Sequence, residues 1–164
     1  MKMILNALKS LIYGTLFFCF WIWIDLLIKN IDKSFGWSLP AGVYMPGLIL
    51  IIIGFPIAIG PALSFVIYGQ GTPAPFDAPK EFVAVGPYKY VRNPMYIGGF
   101  FLFVGFALIN YSLSMLLFPF IWFIIVHLFI IYYEEKTLEK RFGQSYLDYK
   151  KKTNRWIPKF IINK

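Results

Sequence analysis

Histidine and cysteine are almost missing from this chain, where His127 and Cys19 stand alone. A single cysteine excludes an internal disulfide and a thiolate metal site. A single histidine leaves no imidazole cluster, so no metal centre is expected. Charge is scarce too: charged residues make up 15% of the sequence, against roughly 25% in soluble domains. Hydrophobic residues reach 59%, so the composition points to a membrane. The net charge of +8 does not argue for nucleic acid. The basic residues flank apolar runs and read as interfacial anchors and topology signals. The first apolar run lacks a small-residue cleavage site and is not expected to be a removable signal peptide.

What remains is a series of apolar runs in a chain of one-domain length. Leu11 to Ile28 is long enough to span a bilayer core, which takes about 20 apolar residues. Its Asp25 reads first as an i,i+4 partner of Lys29 near the interface, and second as a functional intramembrane carboxylate. No charge occurs from Ser34 to Phe76, and Leu39 to Tyr68 is apolar apart from Pro46, Pro56 and Pro61. That run predicts one long kinked span, with two re-entrant pieces as the alternative. A proline-rich connector, Gly69 to Phe82, follows and serves as a rigid link or a lid. Met95 to Asn110 and Leu113 to Tyr133 predict a helical hairpin about the turn Asn110-Tyr111-Ser112. His127, inside the last span, reads as a hydrogen-bonded histidine between helices. The tail from Glu134 to Lys164 is polar and basic. Leu138, Phe142, Tyr146 and Tyr149 share one face of it, so it is expected to lie along the interface with a break at Gly143.

The reading is an all-α, four-span integral-membrane domain over 1–164, with spans at 11–28, 39–68, 95–110 and 113–133 and a tail at 134–164. Lys29 and Lys33 fall on one side. All other lysines and arginines fall on the opposite side, which puts both termini and the loop before Pro94 in the cytoplasm. The tail cluster Lys150-Lys151-Lys152, with Arg155 and Trp156, is expected to meet anionic headgroups. Glu134 and Glu135 then leave the last span where Arg92, Asn93 and Tyr96 enter the third. These groups would surround a pocket at the water–lipid boundary, open to a polar cofactor and an amphiphilic acceptor.

Two stretches carry a resemblance. "GPYKYVRNPMYIGG", Gly86 to Gly99, fits G-x-Y-x-x-x-R-H-P-x-Y-x-G, and Glu134 to Tyr146 fits E-E-x-x-L-x-x-x-F-G-x-x-Y. In order and spacing they resemble the isoprenylcysteine carboxyl methyltransferase and phospholipid methyltransferase superfamily of integral-membrane enzymes, over Lys80 to Pro158. The resemblance implies S-adenosylmethionine as cofactor and a lipid, lipidated or small hydrophobic acceptor. It implies a cofactor-binding set of Lys80, Glu81, Phe82, Val83, Tyr88, Arg92, Asn93, Pro94, Met95, Tyr96, Glu134 and Glu135. It names no catalytic residue. Methyl transfer from a sulfonium is an in-line displacement that positioning alone can promote, and carboxylates suit the donor's ammonium or hydroxyls.

Two positions depart from the pattern. Asn93 stands where many members have histidine, so that side chain can hydrogen-bond but cannot carry a proton near neutral pH. Ile130 stands where the isoprenylcysteine enzymes have an arginine for the substrate carboxylate, which weighs against carboxyl methylation of an isoprenylated cysteine. A sterol-reductase-type enzyme using NADPH has a similar Arg-His-Pro-x-Tyr-x-Gly turn and is the alternative enzyme class. A non-catalytic scaffold of the same fold is the alternative outside enzymes.

Overall fold

The computed structural model describes residues 2–74, 77 and 79–159. The connector residues Pro75, Phe76 and Ala78 lie outside the described residues. The regular structure of the described residues is helical apart from one β-bridge. Helix α1 runs Lys2–Ile28 and is followed by a short α2, Asn30–Phe35. A 3-10 turn, Ala41–Val43, leads into α3, Tyr44–Tyr68. After the connector and a 3-10 turn at Gly86–Lys89 comes α4, Pro94–Ile109, and then α5, Leu113–Phe129. Two polar helices close the chain, α6 (Glu135–Phe142) and α7 (Gln144–Lys152).

Among the described residues three helical stretches are long and apolar enough to cross a membrane: Met3–Phe35, Ala41–Tyr68 and Leu113–Phe142. α4 is a shorter apolar helix of 16 residues, about 24 Å at 1.5 Å per residue. α3 continues through Pro56 and Pro61 as one helix rather than two pieces. A membrane favours this outcome, because backbone groups exposed to lipid must be satisfied within the helix.

α3 and α4 meet almost backbone to backbone. A Cβ on Gly98 would lie 2.3 Å from the Ala58 nitrogen, and one on Gly54 would lie 2.9 Å from the Phe101 Cβ. Seven residues deeper the pattern repeats, with Gly105 against the Gly47 carbonyl at 2.7 Å. Small residues at such a seam let dispersion and backbone contacts substitute for the hydrophobic drive that lipid removes. The α4–α5 pair is joined differently, through large rings: Phe103 packs edge-on against Phe118 and Trp122 at 5.8 and 5.2 Å. Trp21 of α1 completes this core against Phe118 and Trp122. Most of α1 is otherwise exposed, with Leu11 66% and Leu16 64% uncovered, as suits a lipid-facing helix.

Asp25 corrects a sequence expectation. It is fully buried, and neither carboxylate oxygen has a hydrogen-bond partner among the described residues. Lys29 turns away from it and donates to Asn110 Oδ1 at 3.0 Å, because the α4–α5 turn offers a nearer acceptor across the bundle. At the same end Asp32 accepts from the Ser114 amide at 3.0 Å and from the Ser112 hydroxyl. Ser112 in turn caps α5 by accepting from the Met115 amide at 3.1 Å. Asp32→Ala strips the partner from a buried amide and hydroxyl. The expected cost is about 2 kcal/mol, read as a lower thermal midpoint in detergent.

Candidate functional site

The site forms where the α4 N-terminus meets the end of α5, and a local defect in α5 aims its two acids. Ile130–Glu134 form a single π-helical turn, after which the helix continues as α6 to Phe142. The helix therefore does not end at Tyr133. A π-turn inserts extra backbone into the helix, re-aims the side chains beyond it, and occurs often at functional sites.

Glu134 receives the Tyr96 hydroxyl at 3.0 Å. Glu135 is buried and serves three cations at once. Arg92 Nη2 lies 3.2 Å from Oε1, Arg155 donates to both oxygens at 2.8 and 3.1 Å, and Lys150 Nζ lies 3.1 Å from Oε2. Lys150 also donates to Glu139 at 2.6 Å. This cluster is rich in positive charge. Arg92, with a side chain only 9% exposed, uses one nitrogen on Glu135, while its Nε and Nη1 are buried without a partner among the described residues. Buried donors of this kind are rare unless a ligand or water meets them, and a guanidinium edge fits a carboxylate or phosphate.

Above the site runs a strap, Thr153 to Lys159. Its Asn154 bridges Val91 in parallel and accepts from the Arg92 amide at 2.9 Å. Asn93 Nδ2 donates to the Arg155 carbonyl at 3.2 Å, so this buried side chain holds the strap. Trp156 packs on Phe123 with the rings tilted and centroids 4.5 Å apart, and donates to His127 Nδ1 at 2.9 Å. His127 is thus hydrogen-bonded, but to the tail rather than to another spanning helix.

The structure brings Tyr88, Arg92, Asn93, Pro94, Met95, Tyr96, Glu134 and Glu135 to one end of the bundle. Tyr88 is buried and stacked on Phe65 at 4.9 Å. Burial first, and then the Glu134 carboxylate, push its phenol well above the usual range and keep it a neutral hydroxyl. Pro94 opens α4 at a position that needs no amide hydrogen, and Met95 is half-buried beside it. The segment before the turn sits differently. Lys80 and Glu81 expose their side chains and use their amides on the Gly69 carbonyl at 2.7 and 3.2 Å. Phe82 packs among Phe142, Tyr146 and Tyr149 at 5.4, 5.9 and 5.2 Å, and Val83 is buried close by.

That last cluster corrects the reading of the tail. Its aromatic face turns inward onto Phe82 instead of lying on lipid, because Gly143 (φ 53°, ψ −129°) breaks the helix and folds α7 back. The basic cluster is also partly committed: Lys150 to Glu135 and Glu139, and Lys151 to Asp148 at 3.4 Å. Arg155 and Trp156, read from sequence as headgroup contacts, belong to the site. Nothing local pairs Arg155 with Glu135, 20 residues away.

The sequence profile of the phospholipid methyltransferase family matches residues 43–145, which takes in α3, the first quoted motif and the second as far as Ser145. No curated protein matches significantly. Among solved structures, the eukaryotic intramembrane Ras methyltransferase ICMT (isoprenylcysteine carboxyl methyltransferase), determined without a monobody, is similar with a TM-score of 0.62. Identity is 22%, over 86% of this chain and 52% of that one. The chain therefore spans about half the length of that protein, and the likeness is one of fold.

Proposed function

We propose, from the premise that this chain belongs to the phospholipid methyltransferase family, that it transfers a methyl group from S-adenosylmethionine to a lipid, lipidated or small hydrophobic acceptor. The single observation that supports this most is the Arg92 guanidinium, with two unpartnered nitrogens buried beside the Tyr96–Glu134 pair. An anion and a cation held side by side are what an α-amino acid end presents, and these residues fit such a group. When bound, S-adenosylmethionine supplies an electrophilic methyl on a sulfonium. Arg92 would hold the carboxylate, while Glu134, oriented by Tyr96, would meet the ammonium or ribose hydroxyls. Phe82, Tyr146 and Tyr149 would exclude water from one side. No chain residue has to accept a proton if the acceptor arrives as an anion, which agrees with asparagine at position 93.

Ile130 is 1% exposed within the Phe103–Trp122 core, so no cation stands there to meet an acceptor carboxylate. This favours an acceptor without one. Four spans with both termini and the site on the cytoplasmic side belong to the same proposal, carried by the distribution of lysine and arginine.

Calorimetric titration in detergent tests the reading. S-adenosylmethionine and S-adenosylhomocysteine are expected to bind saturably, and NADPH is not. Binding of NADPH alone would turn the assignment to a reductase, and a folded sample that binds none of the three would turn it to a scaffold. Arg92→Ala is expected to weaken donor binding about 10- to 100-fold, the worth of one charge-assisted bond of roughly 1.5–3 kcal/mol. Methylthioadenosine, which lacks the carboxylate, should bind the variant as it binds the wild type. Glu134→Gln and Tyr96→Phe are expected to abolish donor binding in folded protein. Unchanged affinity in both would remove the site assignment.

A further inference from the structure

His127 is the only histidine of the chain and the only ionisable residue of α5. Its Nδ1 accepts the Trp156 indole N–H at 2.9 Å. An indole nitrogen donates and never accepts, so this bond exists only while Nδ1 is unprotonated. An imidazolium carries N–H at both nitrogens and would set two donors against each other. The ionisable groups around it are Tyr96 on α4, Glu134 and Glu135 beyond the end of α5, and Arg155 and Lys159 on the strap. Tyr96 bonds Glu134 and Arg155 bonds Glu135, and among the described residues none of these groups bonds the imidazole. Asp25 and Asp32 belong to the other end of α5, where Ser114 bonds Ile28 and Asp32.

Trp156 is the apolar anchor of the strap. Its ring packs on Phe123, whereas the next residue, Ile157, is 74% exposed. On both sides of Trp156 the strap grips the segment that carries Arg92. The Asn154 carbonyl accepts the Arg92 amide, the Arg155 carbonyl accepts from Asn93 Nδ2, and the Lys159 amide donates to the Tyr90 carbonyl at 2.8 Å. The Arg155 and Arg92 guanidinium groups also share Glu135 Oε1. A change at the indole is therefore passed to the backbone that aims Arg92.

We propose that His127 is a positioning residue for the Arg92 site, acting through Trp156, and that protonation of its imidazole releases the strap. While the imidazole is neutral, the indole bond holds the strap down and fixes the segment from Tyr90 to Asn93. Once Nδ1 takes a proton, the indole loses its acceptor and the contacts of Asn154 and Arg155 with residues 92 and 93 slacken. The strap is held at the alkaline end of the range in which histidines titrate, about pH 8, and loosened at the acid end, about pH 5. That the held site takes a methyl donor rests on the reading given above; the response of the strap does not.

The test is nitrogen-15 NMR of the full chain in detergent, titrated from about pH 8 to about pH 5. One histidine gives one imidazole signal, and Trp156→Phe identifies the Trp156 indole among the five tryptophans. The Trp156 indole N–H and the Arg92 amide are expected to shift with the same midpoint as the imidazole. S-adenosylmethionine affinity, read by calorimetry, should fall on the order of tenfold over that range, the worth of one hydrogen bond. His127→Asn keeps an acceptor for the indole but cannot titrate, so both signals and the affinity should become independent of pH. His127→Leu offers no acceptor and should show the released signals already at the alkaline end. An indole and an Arg92 amide that stay still while the imidazole titrates would overturn the proposal, as would an imidazole that does not titrate. A dependence of wild-type size in His127→Asn would also overturn it, because Glu134 and Glu135 remain in that variant. The two readings fail separately. Shifts of the indole and the Arg92 amide in protein that binds no donor remove methyl transfer alone, and donor binding with an unmoved indole removes the switch alone.

Discussion

Gly98→Val is expected to yield no folded protein, and Gly98→Ala to lose about 3 kcal/mol, the upper part of the range for overpacking a close contact. The reason lies in what the new carbon would meet. At 2.3 Å from the Ala58 nitrogen and 2.7 Å from its Cα, a Cβ on Gly98 strikes backbone, which cannot rotate aside. α3 and α4 would have to part along a seam that also carries Gly54, Gly47 and Gly105. The neighbouring position supplies the control. A Cβ on Gly99 would meet only the tip of Trp122, at 3.4 Å. Gly99→Ala is therefore expected to be neutral or to gain up to ~1 kcal/mol from helix propensity. Thermal unfolding of the two alanine variants in one detergent measures the difference. Equal midpoints would show that the seam is looser than described.

Glu135→Ala is expected to be the most damaging change that leaves the spanning helices alone. It removes the one carboxylate shared by Arg92, Arg155 and Lys150 and leaves like charges facing each other in a buried corner. Breaking a buried pair costs about 3–5 kcal/mol. Arg155 and Lys150 are 26% and 35% exposed and partly solvated, which places the expected loss near 3 kcal/mol. The strap should loosen as a unit, because Arg155 anchors it between the Asn154 bridge and Trp156. Trypsin is expected to cut after Arg155 much faster in the variant than in the wild type. Donor affinity should fall as well, since Arg92 loses the partner that orients it. Glu135→Gln, similar in shape but uncharged, should fall between the two. If it matches wild type in both assays, the ion cluster is not what holds the strap.

Parts of this were legible in the sequence. The two motif stretches placed Arg92, Asn93, Tyr96, Glu134 and Glu135 near one another before any coordinates, because each group lies at the end of an apolar run and the runs are joined by a short turn. The partners of those residues were not legible. Asn93, expected from the resemblance among the cofactor contacts, also donates from its Nδ2 to the Arg155 carbonyl, a partner that no local pattern announced. Trp156 and Arg155 were read as headgroup anchors, although the strap carries them back over α4. Asp25 and Lys29 sit at the spacing of a helical ion pair, but Lys29 has a better-placed acceptor in Asn110. Spacing along one helix says which residues are neighbours. It does not say which of several neighbours wins.

The sequence by itself determined that this chain is helical and membrane-embedded, where its apolar runs lie and which polar residues border them. Lipid leaves a backbone few choices, and long runs without charge have to close their own hydrogen bonds. Only the tertiary structure decided how the helices touch. The glycine seam depends on an approach of α3 and α4 so close that a Cβ on Gly98 would lie under 3 Å from the Ala58 backbone, and one on Gly105 under 3 Å from the Gly47 carbonyl. The π-turn that aims Glu134 at Tyr96 and Glu135 at three cations is a matter of one turn of backbone. The strap that completes the site comes from beyond the last spanning helix. The seam and the strap rest on contacts between segments distant in sequence, and no local pattern of residue types specifies such contacts.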